Sequence, residues 1–128
     1  MENQLTILSE SLDKKLEVLQ KIREYNKRQE EIFSAEEVDM SLFDDAVEEK
    51  QRLIDEVVHL DEGFEIMYEK LARELEGNRE RYAAQIRELQ KKVSRVTELS
   101  VTVQAQEARN KKLIESYFAV SYTHLTLP

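Results

Sequence analysis

Residues 82–118 read YAAQIRELQKKVSRVTELSVTVQAQEARNKKLIESYF. Within this stretch Tyr82, Ile86, Leu89, Val93, Val96, Val103, Ile114 and Tyr117 fall on one line of three- and four-residue steps. Polar residues take that line only at Ser100, Glu107 and Asn110, and neither Gly nor Pro interrupts it. Such spacing holds the apolar side chains on one face of a long helix. The seam thins towards its C-terminal end, and a partner helix is expected to dock there. Residues 99–105 alternate apolar and polar as a strand would, and Val and Thr favour strands. The long helical flanks decide for helix. Small and β-branched residues around Val101 and Ala105 give this part more apolar surface than one neighbouring helix needs.

Upstream, two further seams have the same period. Leu5, Leu8, Leu12, Leu16, Leu19, Ile22, Tyr25 and Ile32 line a helix over about 3–33, with Gln29 polar on the line. Ile7 and Val18 widen this stripe, so the first helix is expected to touch two neighbours. Phe43, Ala46, Leu53, Val57, Leu60, Phe64, Met67, Leu71 and Leu75 line a second helix over about 42–76. Lys50 shares that line, and its stem is expected to lie on apolar surface with the ammonium in water. Ser41, followed three residues later by Asp44, reads as the N-cap of the second helix. Gly63 interrupts this helix at a cost of about 1 kcal/mol against Ala. Glu76-Gly77-Asn78 reads as a C-cap and turn that folds the third helix, over 78–118, antiparallel onto the second. If Gly77 instead continued the helix, residues 42–118 would form one rod. The expected fold is therefore all-α, an elongated antiparallel three-helix bundle of coiled-coil character, in a single domain over 1–118.

Composition supports this. The 128 residues are 41% hydrophobic and 36% charged, with two Gly and one Pro. That balance suits long helices with narrow buried stripes. There is no Cys, which excludes disulfides and thiolate metal sites. No secretory leader or membrane-spanning run is read, so a soluble cytoplasmic protein without membrane insertion is expected. The net charge of −8 is uneven, with twelve acids against four bases over 41–77 and nine bases against five acids over 78–128. A basic third helix is expected to be drawn to an acidic second one. Nucleic acid is not an expected partner, because the chain as a whole repels phosphates. Residues 119–128 contain no Lys, Arg, Asp or Glu. Their string VSYTHLTLP over 120–128 is similar to translated sequencing-adapter read-through, so this tail is expected to lie outside the native fold.

Chemistry-bearing motifs are few. Glu56 and His59 have the spacing of a di-iron ligand pair, but such a site needs a second pair, and the only other histidine is His124. No Gly-rich phosphate loop or nucleophile elbow is present. The reading is a non-enzyme with no catalytic, metal or cofactor site. The candidate binding residues lie on the third helix: Val96, Leu99, Val103, Asn110, Leu113, Ile114, Tyr117 and Phe118. Asn110 on the seam reads first as a register-setting polar residue. Tyr117 and Phe118 either cap the core or serve as docking aromatics.

Some segments also carry a resemblance. Glu49-Lys50-Gln51-Arg52-Leu53-Ile54 resembles the E-K-x-x-L-I segment of FlgN-like flagellar export chaperones. Leu60-Asp61-Glu62-Gly63-Phe64 and the run from Gln104 to Leu113 are similar to versions of that family from Gram-positive anaerobes. The resemblance covers about residues 5–118. Chaperones of the FliT type, which serve the filament cap, have a similar size and layout. The resemblance implies a cytoplasmic chaperone of flagellar type III secretion. It would bind the helical terminal segment of hook-associated proteins and deliver them to the export gate. It further implies a substrate surface on the last helix, at about Val96 to Phe118, and a role for Tyr117 at the gate. The competing class is a structural coiled coil that oligomerises through its seams. A homodimer is compatible with either reading.

Overall fold

A computed structural model describes the backbone of residues 2–126 and the side chains of residues 2–120. Three helices follow one another: α1 (Glu2–Ser34), α2 (Met40–Glu76) and α3 (Ala83–Thr126). Cross-helix contacts fix their directions. Phe33 meets Phe43, and Lys14 pairs with Glu56, so α1 and α2 are antiparallel. Lys92 reaches Ser9 and Asp13, Asn110 reaches Asn26, and Tyr117 meets Phe33, so α3 runs parallel to α1. The chain is an up-down-up three-helix bundle, and α2 and α3 are two helices rather than one rod.

Each helix end has a local cause. Asp39, in extended backbone, caps α2: its carboxylate accepts from Ser41 N at 3.0 Å and Leu42 N at 3.2 Å. Ser41, expected as the cap, instead lies in the first turn. The reason is that the charged carboxylate two residues earlier is the stronger acceptor for the orphan N–H groups. At the other end of α2, Gly77 sits in right-handed backbone with φ −84°, so no left-handed cap forms. The last turn is closed by Asn78, whose amide donates to Glu74 O at 3.0 Å. The turn also occupies more chain than expected. Tyr82 N bonds Asn78 O and Ala83 N bonds Glu80 O, and α3 begins at Ala83 rather than at 78. At its far end α3 runs to Thr126, past the expected boundary at 118 and into the segment read as a tail; residues 127–128 lie outside the described residues.

The packing is uneven. α1 is the central helix, and its Leu5, Leu8, Leu12, Val18, Leu19 and Ile22 are buried. Its stripe does reach two neighbours, through Val18 at 0% exposure, whereas Ile7 stays 48% exposed. Only Ala46, Leu71 and Leu75 are buried on α2. The close backbone approaches are α1 with α2 and α1 with α3, while α2 and α3 meet through side chains. The expected attraction of basic α3 to acidic α2 is therefore corrected. The ion pairs run mainly to the central helix: Lys14–Glu56 and Lys15–Asp61 join α1 to α2, and Asp13–Lys92 joins α1 to α3. Among the described residues the single α2–α3 pair, Lys50–Glu107, has the opposite sense, with the base on the acidic helix. Net helix charge did not predict partners, because exposed charges at the bundle rim are screened by water.

Gly63 meets nothing within 4 Å of an added Cβ, so it serves no close approach. Gly63→Ala is expected to raise stability by about 1 kcal/mol, seen as a higher urea midpoint with unchanged slope. Asp39→Ala is expected to lower stability by about 1 kcal/mol in the same measurement.

Candidate functional site

The α3 stripe resolves into three rows. Tyr82, Val96, Val103 and Asn110 are buried, at multiples of seven residues, with Leu89 and Tyr117 half-buried in the same register. A strict seven-residue repeat keeps one row against its neighbour along a gently supercoiled helix. On one side of this row, Lys92, Leu99, Gln106 and Leu113 are half-buried. Two of them are tied to α1: Lys92 Nζ donates to Ser9 Oγ at 2.6 Å, and Gln106 Nε2 donates to Arg23 O at 3.4 Å. On the other side, Ile86, Val93, Ser100, Glu107 and Ile114 follow one another at seven-residue steps. Glu107 reaches α2, and Val93 is 44% exposed.

All three helices join in one polar layer. Lys50 turns its ammonium inward instead of into water. Its Nζ donates to Gln29 Oε1 at 2.9 Å, Asn26 Oδ1 at 3.3 Å and Glu107 Oε2 at 3.1 Å. Three donors thus meet three acceptors, which saturates the ammonium. Glu107 Oε1 lies 3.0 Å from the same nitrogen but outside hydrogen-bond geometry. Asn110 Nδ2 donates to Asn26 O at 2.8 Å, and Asn26 Nδ2 reaches Gln106 Oε1 at 3.5 Å. Asn26, Gln29 and Asn110 are all at least 97% buried by exposure (1%, 2% and 3%), so these bonds are shielded from water. Beyond the layer the bundle is closed by rings. Phe33 lies edge-on to Phe43 at 4.8 Å and to Tyr117 at 5.4 Å, and Tyr117 lies edge-on to Phe118.

Between α2 and α3 the seam is not filled. A hollow of about 190 Å³ is bordered by Leu12 and Lys15 of α1, Leu60 and Phe64 of α2, and Val93 and Thr97 of α3. A second, of about 470 Å³, is bordered by Gln29, Lys50, Glu107, Asn110, Lys111 and Ile114. The α3 surface between them is uncharged: Val93, Ser94, Thr97, Ser100, Val101, Gln104 and Ala108 carry no charge, and Val101 is 60% exposed.

The candidate residues from the sequence divide accordingly. Val96, Val103 and Asn110 are core residues. Leu99, Leu113, Ile114 and Tyr117 are half-buried, and Phe118 is 49% exposed. The α2 side of the seam (Lys50, Leu60 and Phe64) was not among the candidates. A signal for it existed: Gln29, Lys50, Glu107 and Asn110 each interrupt an apolar seam, and an up-down-up register brings them to one height. His59, the candidate metal ligand, is exposed. Among the described residues no helix is long and apolar enough to cross a membrane.

A family model described as FlgN protein matches residues 1–122. No curated protein and no solved structure matches the chain.

Removing Lys50 strands buried acceptors on two other helices. Lys50→Ala is expected to cost about 2 kcal/mol in urea unfolding followed by circular dichroism. In a Glu107→Ala background the same change is expected to cost less, since part of the layer is already gone.

Proposed function

The chain belongs to the FlgN family of flagellar export chaperones, and on that premise we propose that it holds the helical terminal segment of hook-associated proteins in the seam between α2 and α3. The observation that carries this reading is the unequal spacing of the bundle. α1 is in close contact with both neighbours, while α2 and α3 leave open hollows floored by α1. An amphipathic helix laid along that seam would cover half-buried apolar groups from two helices at once. The uncharged stripe on α3 lowers the desolvation cost of such a contact.

In this reading Ile114, Tyr117 and Phe118 contribute accessible apolar surface, while Leu99 and Leu113, in the row on the far side from α2, support the helix rather than line the seam. Val96, Val103 and Asn110 act from beneath, by fixing the position of α3. The aromatic end at Tyr117 and Phe118 is the part offered to the export gate. The chaperone works in the cytoplasm and sequesters its cargo until export. The mechanism is reversible burial of surface and needs no nucleotide. A homodimer through the same seam would compete with cargo.

The test is a binding measurement with peptides spanning the terminal segments of hook-associated proteins. Ile114→Asp and Phe118→Asp are expected to weaken binding about tenfold or more while helicity is kept. Val103→Asp is expected to lose helicity instead, because Val103 is 8% exposed within the core. Unchanged affinity in both surface variants would place the cargo elsewhere. Sedimentation of the free protein as a rod-like higher oligomer would favour a structural scaffold.

A further inference from the structure

We infer that the hollow beside the polar layer reads one specific position of the bound cargo helix, and that it accepts a hydrogen-bond donor there: an Arg, Lys, Gln or Asn set among apolar residues. This rests on the cargo-binding reading above and gives it a chemistry.

The argument is a count of donors and acceptors. The hollow of about 470 Å³ is bordered by Lys50, Glu107, Gln29, Asn110 and Ile114, with Lys111 and Glu115 paired with each other at its exposed rim. Every N–H of the Lys50 ammonium is already taken, by Gln29, Asn26 and Glu107. The Asn110 amide is committed to Asn26 O at 2.8 Å. The N–H groups left over belong to the neutral amides of Asn26, Gln29 and Asn110, which are only 1%, 2% and 3% exposed, so the layer presents little to donate towards the seam. Its acceptors are in surplus. A carboxylate offers about four lone-pair sites, and Glu107 has one hydrogen bond, from Lys50. Its Oε1 is buried 3.0 Å from the Lys50 ammonium, paired by charge but outside hydrogen-bond geometry. The Glu107 side chain remains 40% exposed where it borders the seam, whereas that of Lys50 is 13% exposed. A helix entering the seam thus meets a carboxylate with free acceptor capacity. An apolar side chain opposite Glu107 would desolvate that carboxylate without compensation. An Asp or Glu there would add like charge. A donor satisfies it.

The probe is a set of overlapping peptides covering the terminal helices of hook-associated proteins, tested against the full chain. In the tightest binder each Arg, Lys, Gln and Asn is then replaced by Leu in turn. One replacement is expected to weaken binding about tenfold, the worth of a hydrogen bond to a charged group. That loss is expected to vanish against Glu107→Gln, whose amide keeps an acceptor for Lys50 but turns a donor to the seam. Replacing the same peptide residue with Glu is expected to bind Glu107→Gln better than the parent chain, a reversal that mere loosening of the bundle would not produce. Thermal unfolding followed by circular dichroism checks that Glu107→Gln folds. The inference is overturned if the parent chain binds peptide and no donor replacement matters, or if the loss is the same in Glu107→Gln. Failure of the parent chain to bind any of the peptides would overturn the cargo reading itself, and this inference with it.

Discussion

An ammonium group inside a helical bundle has to be met by acceptors from every side that covers it. Lys50 is in that position, and its three partners come from both other helices. Apolar seams alone leave helices free to slide by a turn, because one leucine replaces another at little cost. A buried cation does not allow this: a shift of one heptad would leave Lys50 against carbon and Gln29 and Glu107 without a donor. The rest of the bundle follows from this register. With Lys50 at the level of Asn26 and Glu107, Phe33 falls beside Phe43 and Tyr117, and Leu5 and Leu8 fall beside Leu71, Leu75 and Tyr82.

The same arrangement leaves the molecule closely packed on one side and open on the other. α1 and α3 run side by side with buried apolar groups, a polar layer and the Lys92 bridge between them. α2 is held at its ends by Ala46, Leu71 and Leu75, while Leu53, Ile54, Val57, Leu60 and Phe64 are only half covered in its middle. The seam left between α2 and α3 is the one proposed to take cargo. Its floor is fixed by α1 and its walls do not have to be forced apart.

Much of this was legible in the sequence, and the parts that were not have definable causes. The three seams and the loops between them follow from side-chain period, which a helix enforces locally. Which helix lies nearest which does not follow from period, because Val18 and Ile7 both broaden the α1 stripe and of the two only Val18 is buried. Segment charge suggested that α3 lies on α2, but the pairs that form are set by individual positions such as Asp13 and Lys92. Lys50 looked like a surface residue with a buried stem. Only the alignment of three separate seams shows that acceptors await its head. For the same reason the candidate binding residues were read from α3 alone. Val96 and Val103 carry the seam and are therefore core, while the open groups lie one row over and on α2.

The parallel course of α1 and α3 has a consequence for how the chain becomes a bundle. The contacts between these helices join residues 79 to 84 apart, far beyond the local contacts that let helical proteins fold quickly. On the ribosome α1 and α2 are complete first and can pair as a hairpin. The face of α1 that belongs to α3 then stays bare for seconds, at roughly 5–20 residues added per second. Glu107 and Asn110, which complete the polar layer, are made only after α1 and α2. The bundle thus passes through a stage in which the α3-facing side of α1 is uncovered and its register is not yet set.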